Sequence, residues 1–360
     1  MSRLRQSVRL SDLTTLRLGG AAARLVEAPT SIALVEAVRE CDERGERVLV
    51  LCGGSNVVVA DEGFEGTVVL VTSRGVEVDS AGCAPDDLAA CGGVVVTVAA
   101  GETWDDLVAR AVDESWSGVE ALSGIPGAVG ATPMQNVGAY GQEVAETIWS
   151  VRAYDRVDKV IRTFANAECG FGYRTSRFRG NDRYVILEVS YQFPQGALAA
   201  PVRYAELART LGIGVGERAP AVDVRKAVIA LRRSKGMVLD ETDHDTWSAG
   251  SFFTNPVLDG RRAKALPEQA PRWPAVGGRV KTSAAWLIEQ AGFSRGYEGP
   301  GGRVALSGKH TLALTNRGGA STADLLELGR EVRDGVRAAF DVELDTEPVL
   351  IGCSLSEPVG

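Results

Sequence analysis

The sequence is poor in the residues and segments on which several classes of protein depend. It has only two histidines, His244 and His310, and its six cysteines form no C-x-x-C pair, so neither a zinc site nor a small disulfide framework is indicated. No apolar run approaches the ~18 residues that span a bilayer, and the charged start leads into no apolar segment. We therefore expect a cytoplasmic protein without a metal site or membrane contact, whose thiols are buried or incidental.

An excess of positive charge is also missing. The chain has 47 acidic against 39 basic side chains, so no overall positive field exists to bind a nucleic-acid backbone. Any anionic ligand must be held by local groups. At 360 residues, 45% of them apolar, the chain is long enough for two or three domains with sizeable cores.

Short strands around one helix are predicted for the first part of the chain. Ser31–Arg44 has the periodicity of an amphipathic helix. The strand density does not fit a simple doubly wound fold. The predicted strands are 24–28, 47–51, 57–60, 67–71, 76–79 and 94–99.

Further on, Thr103 is placed to cap a helix with one apolar face, and a hairpin and a strand follow the glycine-rich stretch. We predict strands at 151–155, 160–164, 183–193, 251–254, 311–315 and 349–351, and late helices at 204–211, 222–234, 283–291 and 322–340. The fold class is α+β. The expected domains are 1–73, 74–200 and 201–360.

A first glycine loop, Gly53-Gly54-Ser55-Asn56, follows a strand that reads as buried. Glycines let a backbone approach a pyrophosphate closely enough for successive amides to donate hydrogen bonds. The loop lacks the third glycine of the Rossmann fingerprint, and the next element reads as a strand. Taken alone, these residues also fit an ordinary turn.

A second glycine loop runs from Gly118 to Gly141. A structureless loop of this length is uncommon in a compact domain unless it serves a site. Small residues would let its backbone lie flat against a planar ring, with Ser123 or Asn136 meeting polar ring edges. A glycine-rich connector remains the alternative.

Together, in chain order, these loops resemble the UDP-N-acetylenolpyruvoylglucosamine reductase (MurB) family. The likeness extends from Thr15-Leu16-Arg17-Leu18-Gly19-Gly20 to Glu347. It implies a two-part FAD-binding domain of the vanillyl-alcohol oxidase type (1–73 and 74–200), followed by a C-terminal α+β substrate-binding domain (201–360). It also implies non-covalent FAD, NADPH as hydride donor, and reduction of UDP-N-acetylenolpyruvoylglucosamine to UDP-N-acetylmuramate in peptidoglycan precursor synthesis.

The resemblance assigns cofactor contacts to both loops. In the family, the first loop holds the FAD pyrophosphate and the second lines the cofactor. The residues that match are Gly53, Gly54, Ser55, Asn56, Ser123, Gly124, Ile125, Pro126, Gly130, Ala131, Asn136, Gly138, Ala139 and Tyr140.

Three separated motifs match the family's catalytic residues. Hydride addition to an enolpyruvyl double bond leaves carbanion character beside a carboxylate, so the chemistry needs charge stabilisation and a proton donor. The resemblance places Arg174 as the stabilising cation, Ser251 as the proton donor and Glu347 as the catalytic carboxylate. From the residues alone, Arg174 could also lie at a solvated strand edge. Ser251 could also be a buried strand residue whose hydroxyl bonds the backbone.

The segment Asp345-Thr346-Glu347 departs from the Glu-Pro-Glu of many family members. It leaves open which carboxylate enters the site, and an exposed acid before a strand is the simpler reading of Asp345.

Substrate contacts are implied for Tyr173, Tyr204, Lys235, Asn255 and Gln290. Tyr204 suggests the subclass in which a tyrosine-bearing loop closes over the diphosphate. The stretch 236–249 is longer than usual in the family, which makes Lys235 the weakest match. NADPH and the sugar nucleotide are expected to use one pocket in turn, because no second dinucleotide fingerprint exists. No obligate protein partner is implied.

Three other functions fit parts of the pattern. A flavin enzyme that oxidises an alcohol or lactone would share the fold, although neither glycine loop has a histidine for covalent attachment. A nucleotide-binding regulatory module would keep the glycine loops without the catalytic motifs. A serine hydrolase would need His244 or His310 to meet Ser251.

Overall fold

The computed structural model describes residues 3–79 and 93–356 of the chain. Cys83 and Cys91, which we expected to be buried or incidental thiols, lie outside the described residues. Within the described part, no helix has both the length and the apolar character needed to cross a membrane. Four cysteines are described, and all four are free thiols.

Runs of consecutive strands separate most of the helices along the described chain. The strands are β1 Arg3–Arg9, β2 Ala21–Ala28, β3 Val48–Leu51, β4 Val57–Val59, β5 Phe64–Val71, β6 Val76–Asp79, β7 Val94–Ala99, β8 Gly138–Ala139, β9 Gln142–Glu143, β10 Ile148–Asp155, β11 Val160–Ala165, β12 Tyr184–Phe193, β13 Val257–Leu258, β14 Arg272–Pro274, β15 Val280–Thr282, β16 Val304–Leu306, β17 Leu314–Asn316 and β18 Val349–Ile351. The helices are α1 Ser31–Glu43, α2 Trp104–Asp113, α3 Ala205–Leu211, α4 Ala221–Ser234, α5 Gly260–Ala265, α6 Ala284–Gln290 and α7 Thr322–Phe340.

The chain divides into two compact units. Unit 1 comprises residues 1–7, 23–53 and 65–234, and unit 2 comprises residues 8–22, 54–64 and 235–360. This division does not coincide with the expected boundary at residue 200, because 201–234 packs with unit 1. The first glycine loop is also divided, with Gly53 in unit 1 and Gly54–Asn56 in unit 2.

In its described residues, unit 1 contains two larger sheets besides the short β8–β9 pair. One has the strand order β1-β2-β5-β3, with β3 and β5 parallel, and the other has the order β11-β10-β12-β7-β6. The predicted hairpin forms, with Val151 opposite Phe164 and Asp155 opposite Val160. The core of unit 1 is rich in aromatic rings, among them Tyr191 and Phe193, which stack with their ring centroids 5.5 Å apart.

Helix α2 shows how the sequence pattern directs packing in unit 1. Its predicted apolar face is buried, with Trp104 and Val108 fully inaccessible to solvent. Asp105 and Asp106 lie in the first turn, where carboxylates interact favourably with the helix dipole. The predicted capping by the Thr103 side chain is wrong, because Thr103 holds the N-cap position without a side-chain hydrogen bond.

A second, smaller core of unit 1 explains why 201–234 belongs there. Apolar residues of α3 and α4, including Leu207 and Val228, pack around Ala121 of the second glycine loop. The contact buries helix faces that would otherwise be exposed to water.

Unit 2 is built around α6, α7 and the phenylalanine pair Phe252 and Phe253. Strand β18 pairs in parallel with β4, and β13, β15 and β14 form a small antiparallel sheet. Helix α7 occupies its predicted range and begins with a capping box between Ser321 and Asp324.

Two predicted strands of unit 2 differ from the structure. The expected strand at 251–254 does not form, and this segment has a bend at Phe252 and one isolated bridge, Phe253 to Thr346. The expected strand at 311–315 forms later, as β17, where its register with β16 begins. The first difference involves a partner distant in sequence, and the second depends on the register with the neighbouring strand β16.

Candidate functional site

The first glycine loop is tightly fitted in both units. In unit 1, a Cβ on Gly53 would lie 2.6 Å from the Cα of Gly127. In unit 2, Gly54 has φ +58°, and a Cβ there would overlap the carbonyl oxygen of Leu13. Glycine is therefore required at both positions. The buried N–H of Gly54 donates no hydrogen bond to the described residues, which suits it to an acceptor such as a phosphate oxygen.

Asn56 connects this loop to the segment that contains Glu347. The carbonyl of Asn56 accepts from the N–H of Val349 at 3.0 Å, the contact that opens the β4–β18 pairing. Its side-chain amide reaches the carbonyl of Glu347 at 3.4 Å. The two residues are 291 positions apart in sequence.

The Ser251 segment lies beside the Glu347 segment in the same unit. The N–H of Glu347 donates to the carbonyl of Phe252 at 2.9 Å, and the N–H of Thr254 donates to the carbonyl of Asp345 at 3.0 Å. Ser251 and Glu347 are half-buried, whereas Asp345 is exposed. Unit 2 therefore brings together Gly54–Asn56 of the first glycine loop, the expected proton donor and the expected carboxylate.

Two of the expected substrate residues in unit 2 lie around α6. The side-chain oxygen of Asn255 accepts from the N–H of Ala284, at the first turn of the helix, at 3.0 Å. Gln290 is exposed at its last residue. Lys235 begins the third segment of unit 2 and is half-buried.

In unit 1, the second glycine loop is held by its own backbone and by buried side chains. It contains two 3-10 turns and strand β8, which pairs with β9 directly after the loop, so the expectation of a structureless loop is wrong. A Cβ on Gly130 would lie 2.6 Å from the Cβ of Ala100. Ser123 is fully buried and donates to the carbonyl of Glu120 at 2.6 Å.

Asn136 ties this loop to the segment that contains Arg174. It is 1% exposed with φ +48°, and its amide donates to Glu143 at 2.7 Å and to the carbonyl of Gly172 at 3.0 Å. Its side-chain oxygen accepts from the N–H of Ala145 at 3.1 Å. The side chain therefore supports the loop through protein contacts on both of its polar atoms.

Arg174 lies against the same loop. A tight turn with reciprocal hydrogen bonds between Gly172 and Thr175 holds Arg174 at φ +51°. Its guanidinium donates to the carbonyl of Gly138 at 2.6 Å and lies 5.4 Å from the ring centre of Tyr173. Unit 1 thus groups the expected stabilising cation with expected cofactor and substrate residues.

Tyr204 also contacts this loop. Its ring meets the ring of Tyr140 edge-on, with centroids 5.4 Å apart. The adjacent Arg203 forms an ion pair with Glu146 at 2.8 Å. A proposed substrate residue and a proposed cofactor residue are therefore in direct contact.

Two acidic residues that no sequence motif indicated position the second glycine loop. Asp105 accepts from the N–H of Gly124 at 2.6 Å and from both terminal nitrogens of Arg225 at 2.7 and 3.0 Å. Burial raises the pKa of Asp105, but these hydrogen bonds outweigh it, so the pKa lies below its usual value. No local pattern indicates a partner 120 residues away.

The second missed residue is Glu120, which is fully buried. Its carboxylate accepts from the N–H of Gly118, the amide of Gln142 and the N–H of Ala200, at 2.6, 2.9 and 2.6 Å. An acid within an otherwise apolar and glycine-rich stretch is the signal that could have identified it.

Cys52 precedes the first glycine loop, and its thiol has low reactivity. Burial raises its pKa to about 12, so the sulfur stays protonated and weakly nucleophilic. Within the described residues, no group of three or more histidine, cysteine or acidic side chains could hold a metal ion.

The described fold is α+β with two glycine loops, and two family profiles assign the chain to the flavin-binding enzymes. The family profile described as "FAD binding domain" matches residues 22–163, and the profile "UDP-N-acetylenolpyruvoylglucosamine reductase, C-terminal domain" matches residues 241–351. The expected α+β fold class is confirmed.

Sequence relatives identify the family. The chain is 55% identical to the UDP-N-acetylenolpyruvoylglucosamine reductase of Salinispora arenicola, covering 96% of this chain and 95% of that one. It is 53% identical to the protein of the same name from Cutibacterium acnes, covering 97% and 91%. The chain belongs to the UDP-N-acetylenolpyruvoylglucosamine reductase family.

A solved structure supports the fold assignment over the full length. The crystal structure of UDP-N-acetylenolpyruvylglucosamine reductase (MurB) from Thermus caldophilus matches with a TM-score of 0.66 at 24% identity, covering 98% of this chain and 100% of that chain. At this identity the likeness concerns the fold.

Proposed function

We propose that this protein uses FAD and NADPH to reduce UDP-N-acetylenolpyruvoylglucosamine to UDP-N-acetylmuramate, a step in peptidoglycan precursor synthesis. The observation that carries the proposal is the assembly in unit 2, where the pyrophosphate-type loop at Gly54–Asn56, the Ser251 segment and Glu347 are hydrogen-bonded neighbours. This arrangement supports the proposal that Ser251 and Glu347 transfer a proton beside a loop that binds a nucleotide.

The two glycine loops are the proposed FAD contacts. The backbone amides of Gly53 and Gly54, with Ser55 and Asn56, would hold the pyrophosphate. The second loop would lie along the cofactor through residues Ser123–Pro126, Gly130, Ala131 and Gly138–Tyr140, with Asn136 supporting that loop from within. Bound FAD supplies the capacity to accept a hydride from NADPH and deliver it to the substrate. Binding is non-covalent, as the protonated Cys52 thiol favours.

Arg174, Ser251 and Glu347 are the proposed catalytic residues. When a hydride reaches one alkene carbon, the electron pair of the double bond moves to the carbon that bears the carboxylate. The fixed positive charge of Arg174 stabilises that developing charge. The Ser251 hydroxyl donates its proton to the same carbon, which completes reduction of the alkene.

Glu347 is the proposed partner of this proton transfer. Two observations support this role for Glu347: it is half-buried, and its N–H donates to the carbonyl of Phe252, next to Ser251, whereas Asp345 is exposed. A carboxylate there would orient the donor or the intermediate. We assign Asp345 no catalytic role.

The proposed contacts of the sugar nucleotide are Tyr173, Tyr204, Lys235, Asn255 and Gln290. Lys235 and Tyr204 suit phosphate oxygens, as a point charge and a hydroxyl donor. Tyr204 would belong to the tyrosine-bearing loop of its subclass.

We propose that domains 1–73 and 74–200 bind FAD and that domain 201–360 binds the substrate. Within the last of these, 201–234 packs as part of unit 1. The proposed location is the cytoplasm. No obligate protein partner is required by this function.

The function is tested by separating the two half-reactions. The purified protein is reduced with NADPH without oxygen, and flavin reoxidation is followed after adding UDP-N-acetylenolpyruvoylglucosamine. We expect rapid reoxidation in the wild type and a loss of about 10²–10⁴-fold in Ser251→Ala, with NADPH reduction unchanged. Flavin binding without reoxidation by the enol ether would reject the substrate assignment, and absence of flavin would reject the flavin assignment as well.

A further inference from the structure

The Thr15–Gly20 segment carries part of the family resemblance, yet none of the proposed cofactor, substrate or catalytic contacts lies in it. It belongs to unit 2 together with Gly54–Asn56 and the Ser251 and Glu347 segments. Its hydrogen bonds lead to two of these elements.

Thr15 contacts both elements directly. Its N–H donates to the carbonyl of Gly54 at 3.1 Å, and its hydroxyl donates to the carbonyl of Ser248 at 2.7 Å, across 233 residues of sequence. Thr15 is 9% exposed, so these bonds are protected from water.

Ser248 carries the connection towards Ser251. It is 5% exposed, and its hydroxyl oxygen accepts from the N–H of Gly250 at 3.2 Å. Gly250 has φ +74° and is followed by Ser251. Two hydrogen bonds, through Ser248, therefore link Thr15 to the turn that immediately precedes Ser251.

The segment around Thr15 is itself immobilised. The Thr14 hydroxyl donates to the carbonyl of Leu18 at 3.0 Å, and the Asn316 amide donates to the carbonyl of Leu16 at 3.1 Å. On the other side, the steric fit of Gly54 against Leu13 leaves the loop no room to move closer. Thr15 is thus held in place between the first glycine loop and the Ser251 segment.

We propose that Thr15 is a positioning residue that sets the spacing between the pyrophosphate loop and Ser251. The inference rests on the proposed function and assigns Thr15 no contact with cofactor or substrate. Proton transfer depends steeply on geometry, and a displacement near 1 Å can cost ~10²-fold in rate. The Thr15 hydroxyl therefore governs the half-reaction that uses Ser251 and leaves the other unchanged.

Thr15→Val and Thr15→Ser test this inference. At saturating FAD, we expect Thr15→Val to be reduced by NADPH at the wild-type rate but to be reoxidised by the enol ether about 10–100-fold more slowly. Its reoxidation should show a larger solvent deuterium isotope effect, because proton transfer becomes slower. Thr15→Ser keeps the hydroxyl and should recover most of the wild-type reoxidation rate.

Thr315→Val is the matched control in unit 2. Thr315 is a fully buried threonine whose hydroxyl donates to the carbonyl of Ala305 at 3.1 Å, so its loss has a similar stability cost. We expect it to leave both half-reactions per bound flavin unchanged. An equal loss of reoxidation in Thr315→Val, or none in Thr15→Val, would overturn the proposal.

If Thr15→Val does not fold, a second variant still tests the proposal. Ser248→Ala removes the acceptor for Gly250 and keeps the Thr15 contact to the Ser248 carbonyl. We expect slower flavin reoxidation at unchanged FAD affinity. An unchanged reoxidation rate would contradict the positioning role of Thr15 through Ser248. A wild type that binds flavin but is not reoxidised by the enol ether instead rejects the proposed function.

Discussion

The rings of Tyr140 and Tyr204 meet edge to face, with their centroids 5.4 Å apart. Tyr140 belongs to the glycine loop proposed to line FAD, and Tyr204 is the proposed diphosphate contact. Edge-on aromatic pairs contribute about 0.5–1.5 kcal/mol beyond their buried area, so this contact orders the ring of Tyr204. At 42% exposure, Tyr204 keeps part of its surface available to a ligand.

This contact separates two effects of changing Tyr204. Tyr204→Phe keeps the ring contact and removes only the hydroxyl, so we expect KM for the sugar nucleotide to rise about ten-fold with kcat within two-fold. Tyr204→Ala also removes the ring contact and should change the flavin absorbance spectrum. Steady-state kinetics and flavin spectra measure both, and an unchanged KM in Tyr204→Phe would contradict the phosphate contact.

The burial difference between Glu347 and Asp345 predicts different roles for the two carboxylates. Glu347→Gln should slow flavin reoxidation by about 10²-fold or more, since a positioned proton-transfer group is lost. Asp345→Asn should remain within about two-fold of wild type, because its side chain is exposed. Stopped-flow reoxidation compares them, and the reverse order would move the catalytic role to Asp345.

Asp105 and Arg225 are expected to couple α4 to the glycine loop. Their bidentate pair is 33% and 18% exposed, and Asp105 also holds the N–H of Gly124. A double-mutant cycle with Asp105→Asn and Arg225→Gln should give a coupling free energy of about 1 kcal/mol, which corresponds to about a five-fold change in FAD dissociation constant.

The control for this cycle is the exposed pair Asp223 and Lys226 on the same helix, at 53% and 74% exposure. We expect its coupling to be near zero, because exposed pairs are screened by solvent. FAD titration measures both cycles. Equal coupling in the two would show that the Asp105 pair has no specific effect on the loop.

Asp324 predicts a pH-dependent contribution to stability. Hydrogen bonds from Arg303 hold its pKa well below the usual value, and it also accepts from the N–H of Ser321 in the capping box. Since the folded pKa is depressed, the stabilisation is complete above the unfolded value near 4 and is lost as pH falls through the folded pKa. Asp324→Asn should cost about 1–2 kcal/mol at pH 7.

Urea denaturation at several pH values tests this prediction. The difference between wild type and Asp324→Asn should narrow as pH falls below about 4. Asp334→Asn, on an exposed position of the same helix, is the control and should stay within about 0.5 kcal/mol at every pH. A difference that is independent of pH would contradict the ionic contribution of Asp324.

Several elements were predictable from the sequence because their signals are local. The apolar face of α2, the range of α7 and the hairpin of β10 and β11 depend on periodicity and turn residues within a few positions of one another. The two glycine loops were identified for the same reason, since the absence of a side chain is visible at each position. These local patterns sufficed to suggest the α+β fold and a nucleotide site.

Other features depend on partners that no local pattern connects. Asn56 meets Glu347 across 291 residues, Thr15 meets Ser248 across 233, and Arg225 meets Asp105 across 120. The segment 251–254, expected as a strand, makes one isolated bridge to Thr346, a partner that its own composition does not indicate.

The sequence by itself determined the α+β class, the glycine loops and the residues available for hydride and proton chemistry. Only the tertiary structure decided that 201–234 packs with unit 1, that Asn136 supports its loop from within, and that Thr15 joins the pyrophosphate loop to the Ser251 segment. The physical reason is that residue type and periodicity act over one or two turns of chain. Hydrogen bonds between buried groups are instead satisfied by whichever distant segment the folded core brings within about 3 Å.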